Sequence, residues 1–339
     1  MQRQNHEPAT RRLLNIPGVA YGLAKVQPAA FPGIRDFRYQ IAVGLILLLI
    51  LGTFQGSTRA AETREFTYCM GFSSTMFADV NENDARAAVK IWGGQIAMEH
   101  NIPTDPVPVI FKGMDALLES LLEKQVDTVG ITTIEYDQLK RKVKFHPLFV
   151  AVNAGGISER YVLLTHQKGP VRTLADLDGC SLTIHTNPRT CLAPLWLDML
   201  LTQQGHPVTK DFTGRINRES KLAKVVLPVF FGRVDACVLT HGGFDTMAEL
   251  NPQLARQLVI LAESPEMVPT IFAFRANYNP VFKEKLIKGL KDLKKSPAGQ
   301  QVLTIFQSDE LVIEPASSLD TALELIATHK QLARKGQQP

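Results

Sequence analysis

The sequence predicts an α/β protein of two units, each a mostly parallel sheet flanked by helices. Three observations predict it. Strand-like and helix-like segments alternate from Phe66 onward, the order expected of parallel strands covered by helices. The alternation begins afresh after "FHPLFVAVNAGGISERYVLLTHQ". An element made of a helix end, Val-Asp, an apolar strand and a hydroxyl residue opening the next helix occurs twice, as "LLEKQVDTVGITTIEYDQL" and "VFFGRVDACVLTHGGFDTM". Each unit receives one copy.

Taken in order, "FTYCMGF" is a strand. "NENDARAAVKIWGGQIAMEHN" is a helix, because Ala85, Ala88, Val89, Trp92 and Ile96 recur at helical spacing, with Asn83 or Asp84 expected to cap it. "VPVIF" is a second strand. "GMDALLESLLEKQ" is a helix whose apolar side carries Met114, Leu117, Leu118, Leu121 and Leu122. "VDTVGI" is a third strand and "TTIEYDQLKR" a short helix. In the second unit "SLTIH" is a strand, "LAPLWLDMLLTQQG" a helix ending at Gly205, "VDACVLT" a strand and "GFDTMAELN" a helix. The segment "VPTIFAFRANY" crosses back towards C-terminal helices in "NPVFKEKLIKGLKDLKK" and "SLDTALELIATHKQLARK". Trp92 and Trp196 stand at apolar helix positions and are expected in the core.

The N-terminal part is separate. "IAVGLILLLILGTF", residues 41–54, is an apolar run preceded by Arg35 and Arg38 and followed by small polar residues. It falls in the range of a signal-peptide core and short of the ~20 apolar residues of a spanning helix. Cleavage is expected near Ala60 or Ala61; an uncleaved transmembrane anchor is the alternative. Either places the remainder outside the cytoplasm. Residues 1–61 hold seven Lys/Arg and two Asp/Glu, leaving 30 basic and 31 acidic residues beyond them. The basic balance of the chain therefore belongs to the leader, and no basic face for nucleic acid is expected. Cys69, Cys180, Cys191 and Cys237 show no C-x-x-C or zinc spacing.

The chemistry gathers at strand ends. Between "SLTIH" and the following helix lies a polar knot, His185-Thr186-Asn187-Pro188-Arg189-Thr190. A helix N-terminus offers free N–H groups and partial positive charge, so it can seat an anion. Thr132 and Thr133, and Thr240 and His241, occupy the matching tips of the duplicated element. In open α/β sheets ligands bind at the carboxyl ends of strands. Thr132 and Thr133 could equally be an N-cap pair, and Arg189 a surface residue. There is no G-x-S-x-G, H-E-x-x-H or P-loop, so no enzyme is expected.

The order of "FSSTMF", "VDTVGITTIEY", "IHTNPRTCLAP", "FTGRINRES" and "VDACVLT" resembles the phosphate/phosphite/phosphonate-binding proteins of ABC importers, a branch of the type 2 periplasmic binding proteins. The resemblance covers about residues 66–325. It implies two lobes, residues 62–154 with 264–339 and residues 155–263, joined by two crossovers, with an oxyanion held between them. It implies ligand contacts from Ser74, Thr75, Thr132, Thr133, Arg189 and Thr190; the polar knot, the strand-end tips and the basic loop add His185, Asn187, Arg218, Thr240 and His241 as candidate contacts. Arg189, Thr190 and Cys191 stand where the family usually has Ser-Thr-Ser. Arg215, Asn217 and Arg218 stand where phosphonate binders often have a His, in an expected loop. Gly242-Gly243 and Pro269-Thr270 replace the acidic residues that hold an amine, so 2-aminoethylphosphonate is not the preferred ligand. The implied partners are the small oxyanion and an ABC permease with its ATPase, the protein acting as a periplasmic monomer with no metal or organic cofactor. A sensory protein of the same fold is the rival. Arg189 and Thr190 are expected at the N-terminus of a helix over 192–201, facing the other lobe. Arg189→Ala is then expected to weaken oxyanion binding about tenfold or more, with little loss of fold stability.

Overall fold

A computed structural model describes residues 68–335 except residue 79. The leader and its apolar run lie outside the described residues, and among these no helix is long and apolar enough to cross a membrane. In chain order the strands are β1 (Tyr68–Ser73), β2 (Pro106–Phe111), β3 (Thr128–Thr132), β4 (Phe145–Val152), β5 (Tyr161–His166), β6 (Ser181–His185), β7 (Arg215–Glu219), β8 (Ala236–Thr240), β9 (Leu258–Glu263), β10 (Thr270–Arg275) and β11 (Glu310–Glu314). The helices are α1 (Glu82–Glu99), α2 (Met114–Leu122), α3 (Thr133–Leu139), α4 (Ala193–Gln203), α5 (Leu222–Phe230), α6 (His241–Leu250), α7 (Pro252–Gln257), α8 (Lys283–Lys291), α9 (Pro297–Ile305) and α10 (Asp320–Lys335).

Two sheets result, ordered β11-β4-β10-β3-β1-β2 and β7-β6-β8-β5-β9. Each is parallel only where its βαβ units lie: β2-β1-β3 in the first and β7-β6-β8 in the second. The other strands pair antiparallel, because the chain leaves the first sheet through β4 and returns through β10. The two-lobed α/β fold is as the sequence predicts, with less parallel pairing than expected. The crossings at 153–160 and 264–269 run side by side, bridged at Glu159 and Met267.

Period-two alternation splits each sheet between two cores. In β1, Tyr68, Met70 and Phe72 face the cluster built on α1, α8 and α9, while Cys69 faces the opposite cluster. In β5, Tyr161 and Leu163 face Trp196 and Leu197 of α4, and Val162 and Leu164 face Val225 and Val229 of α5. Helix α10 packs on both α3 and α4. Its Lys330 bonds Asp137 of α3 and its His329 bonds Asp198 of α4 at 2.7 Å, so one helix spans the two lobes.

The duplicated Val-Asp element has the same role twice. Asp127 accepts the N–H of Cys69 at the start of the neighbouring strand, 2.9 Å, and Asp235 accepts that of Ser181, 2.7 Å. Burial raises the Asp127 carboxyl despite that N–H and Arg275 beside it. Gly205 (φ 78°) ends α4 in the left-handed region, as expected of a C-terminal glycine.

Three local expectations change. Asn81, not Asn83 or Asp84, caps α1, its Oδ1 accepting the N–H groups of both. "RINRE" is edge strand β7, not loop. Thr190 lies in a separate helical turn, Pro188–Thr190, and α4 starts after it at Ala193 with Leu192 as an N-cap that makes no side-chain bond.

Candidate functional site

The tips of β1, β3 and β6 meet the return crossing at one junction. On the lobe of the first sheet, β1 ends in Ser73, followed by the turn Ser74–Phe77, and β3 ends in Thr132, which caps α3. Their hydroxyls converge on one side chain. Glu135 accepts from Ser73 Oγ (2.5 Å), Thr75 Oγ1 (2.9 Å), Thr132 N–H (2.8 Å) and Thr132 Oγ1 (3.0 Å). The carboxylate is buried and its two oxygens share these four bonds. The hydroxyls and N–H therefore form an anion cradle, and the chain's own Glu135 sits in it. The local cause is a capping box, Thr132-x-x-Glu135, in which cap and third residue satisfy each other's backbone N–H. In the second lobe the matching Thr240 caps α6 by accepting the Gly243 N–H at 3.1 Å, and the position of Glu135 falls to Gly243.

Thr133 is fully buried and donates to the Val268 carbonyl at 2.6 Å. Its N–H bonds Pro269 O at 2.8 Å. From the other lobe the thiol of Cys191 reaches the same Pro269 carbonyl at 3.3 Å. The return crossing thus receives bonds from both lobes within two residues.

Arg189 is a charged group of the second lobe at this junction. It is not a free surface arginine. Its guanidinium pairs with Glu159 of the outgoing crossing, through Nε at 2.5 Å and through Nη2, and donates from Nη1 to the Gln307 carbonyl. The side chains are 14% and 9% exposed, and burial pulls the guanidinium down to about 10, still protonated at neutral pH. Asn187 adds an interlobe bond to Gln307 Oε1 at 2.9 Å, while its Oδ1 accepts Arg189 N–H. Thr190 is buried and donates to the carbonyls of His185 and Asn187. The expectation that Arg189 could be removed with little loss of stability does not survive this pairing.

The other expected residues scatter. Ser74 is half-buried and Thr75 exposed at the first turn, within the same junction. His185 is buried at the end of β6, its Nε2 against the Ser220 carbonyl at 3.0 Å. Arg218 is exposed on edge strand β7 beside Ile184. His241 faces Glu263 (2.5 Å) and Asp245 (3.6 Å), in a charged group that Arg160 joins through Glu263. Glu135, Glu159 and Gln307 had not been anticipated. Only Glu135 carried a readable signal, the T-x-x-E box. Among the described residues no cluster of three or more His, Cys, Asp or Glu is placed to hold a metal ion.

A cavity of about 60 Å³ opens beside the junction. Phe72, Trp92, Phe272, Val302, Leu303 and Phe306 line it, and Pro188, Arg189, Thr270 and Gln307 contribute its more polar part.

Residues 83–318 match the family described as the periplasmic substrate-binding protein of phosphonate ABC transporters. No curated protein matches the sequence. Among solved structures, a Xanthomonas citri protein bound to chloride is similar with TM-score 0.58 and 16% identity, over 79% of this chain and 99% of that one. A binding component of a phosphonate ABC transporter from Pseudomonas aeruginosa gives 0.54 and 14%, over 78% and 87%. PhnD1 of Prochlorococcus marinus, in complex with methylphosphonate, gives 0.53 and 14%, over 78% and 98%. At these identities the likeness is one of fold.

Proposed function

Because the chain belongs to the family of periplasmic substrate-binding proteins of phosphonate ABC transporters, we propose that it captures a phosphorus oxyanion at the junction of its two lobes and delivers it to a permease with its ATPase. Within this reading the segment 41–54 directs export, and the mature protein acts as a monomer that leaves its ligand chemically unchanged. One observation supports the site: polar groups from both lobes meet where the strand tips reach the return crossing, with Arg189 from one side and the hydroxyl turns of Ser74, Thr75, Thr132 and Thr133 from the other. Glu135 already engages Thr75 and Thr132, so the charged donor left to an incoming anion is Arg189. Its fork matches phosphate-like oxygens in bidentate fashion. Two side-by-side crossings supply the hinge. A ligand touching both lobes stabilises their closed arrangement through its better contacts there.

The test is a thermal-shift screen of the purified full chain against phosphate, phosphite, methylphosphonate, 2-aminoethylphosphonate, sulfate, acetate and an amine. At 100-fold excess over the dissociation constant, linkage stabilises by roughly 2.7 kcal/mol. At least one phosphorus oxyanion is expected to raise the Tm. A shift with a carboxylate or amine alone contradicts the assignment.

A further inference from the structure

We propose that the apolar cavity of the first lobe is a subsite for the organic substituent of the ligand, so that the protein prefers a short-chain alkylphosphonate to inorganic phosphate. The inference rests on the phosphonate reading above and adds the substrate class. Three observations carry it.

The first is the chemistry of the walls. Phe72 of β1, Trp92 of α1, Phe272 of β10 and Val302 and Leu303 of α9 form a wall without polar side chains. A buried water needs two to four polar partners, and this part of the cavity offers few. An apolar void left empty forfeits dispersion contacts along its lining, so an alkyl group gains by entering. Gly130 in β3 also lines the cavity, stands in register between Phe72 and Phe272, and lets the Phe72 ring lie directly on the strand. A Cβ there would fall 2.5 Å from the Phe72 ring.

The second is size. An engineered cavity of roughly 150 Å³ holds benzene. The cavity here is about 60 Å³, which suits two or three carbons and not an aromatic ring.

The third is the mouth. Arg189, Gln307 and Thr270 line the same cavity, so an apolar chain inside it brings its phosphonate to the guanidinium. A guanidinium carries five N–H donors, and Glu159 and Gln307 take bonds from three of its nitrogens. Among the described residues no acidic side chain lines the cavity, so an aminoalkyl chain gains no partner there.

The experiment is titration calorimetry of the full chain with phosphate and with methyl-, ethyl-, propyl-, phenyl- and 2-aminoethylphosphonate. Each methylene buried is expected to raise affinity about fourfold from methyl to propyl, with phenyl and aminoethyl falling below propyl. Leu303→Phe, which narrows the cavity, is expected to erase the gain of propyl over methyl. Should that variant not fold, Val302→Ile carries the test, with about a fourfold loss for propylphosphonate. Saturable binding with no chain-length trend, or a trend that the cavity variant leaves intact, overturns the subsite while the phosphonate reading stands. Absence of binding by every phosphorus oxyanion overturns both.

Discussion

Arg189→Ala separates the structural account from the one expected of a free surface arginine. In the structure Arg189 and Glu159 are 14% and 9% exposed and hydrogen-bonded to each other. Removing one partner of a buried pair leaves the other charge desolvated, at roughly 3–5 kcal/mol when burial is complete. The residual exposure lowers this to about 2–3 kcal/mol here, a fall in Tm of roughly 3–5 °C for a chain of this size. The loss of the Gln307 contact falls within that range. Thermal unfolding of the ligand-free protein measures it directly. Replacing both partners by apolar residues, Arg189→Met with Glu159→Leu, is expected to recover most of the stability, since a buried pair is often no better than a packed apolar one. Oxyanion affinity is expected to fall about tenfold or more in both variants. If Arg189→Ala unfolds within about 0.5 kcal/mol of the parent, the range of ordinary surface changes, then the pair is not formed in solution and the reasoning fails.

Glu135→Ala leaves Ser73 Oγ and the Thr132 N–H without their acceptor, so a loss of about 2–4 kcal/mol is expected. Added formate or acetate should restore part of it by re-entering the cradle; a stability indifferent to carboxylate would count against an anion seat. Asp137 is affected first by burial, which acts to raise it, but the hydrogen bonds from Lys140 and Lys330 win and hold it below the usual carboxylate value. A depressed carboxylate stabilises above its unfolded value and loses that contribution as pH falls through its folded one. Asp137→Asn should therefore melt below the parent at pH 7, with the gap closing as pH falls below about 4, the ordinary carboxylate value; a constant gap would show that Asp137 acts by packing. Burial pushes the Cys69 thiol up to about 11 and Cys180 to about 12, and raises Cys191 and Cys237 further. Because the thiolate is the nucleophile, iodoacetamide at pH 8 should label the buried Cys69, Cys180 and Cys237 no faster than the protein unfolds. Rapid labelling of any one of them would place it outside the described packing.

The helices and the central strands were legible because their apolar spacing is regular, as in α1 and in the paired Val-Asp elements whose aspartates tie neighbouring strands together. The edge strands were not. β7 and β11 hold only half-buried and exposed positions, in no regular alternation, so no period marks them. β9 turns Val259 and Ile260 outward in succession, where its pairing with β5 shifts register. The chemistry of the junction was legible in part. Sequence spacing places Thr132 and Thr240 at helix starts, and a T-x-x-E box announces that Glu135 folds back. That Glu135 also gathers Ser73 and Thr75, or that Arg189 meets Glu159 across 30 positions and Gln307 across 118, depends on how the lobes meet. No local pattern encodes it.

The claim that a phosphorus oxyanion binds between the lobes is tested most directly by hydrogen exchange of the full chain with and without a saturating phosphonate. Ligand contact with both sides should slow exchange together at 73–75 and 132–135 in one lobe, at 187–192 in the other, and at 268–272 in the crossing that both lobes touch. Protection confined to one lobe, or none at these segments despite saturable binding, would place the ligand elsewhere and contradict the account.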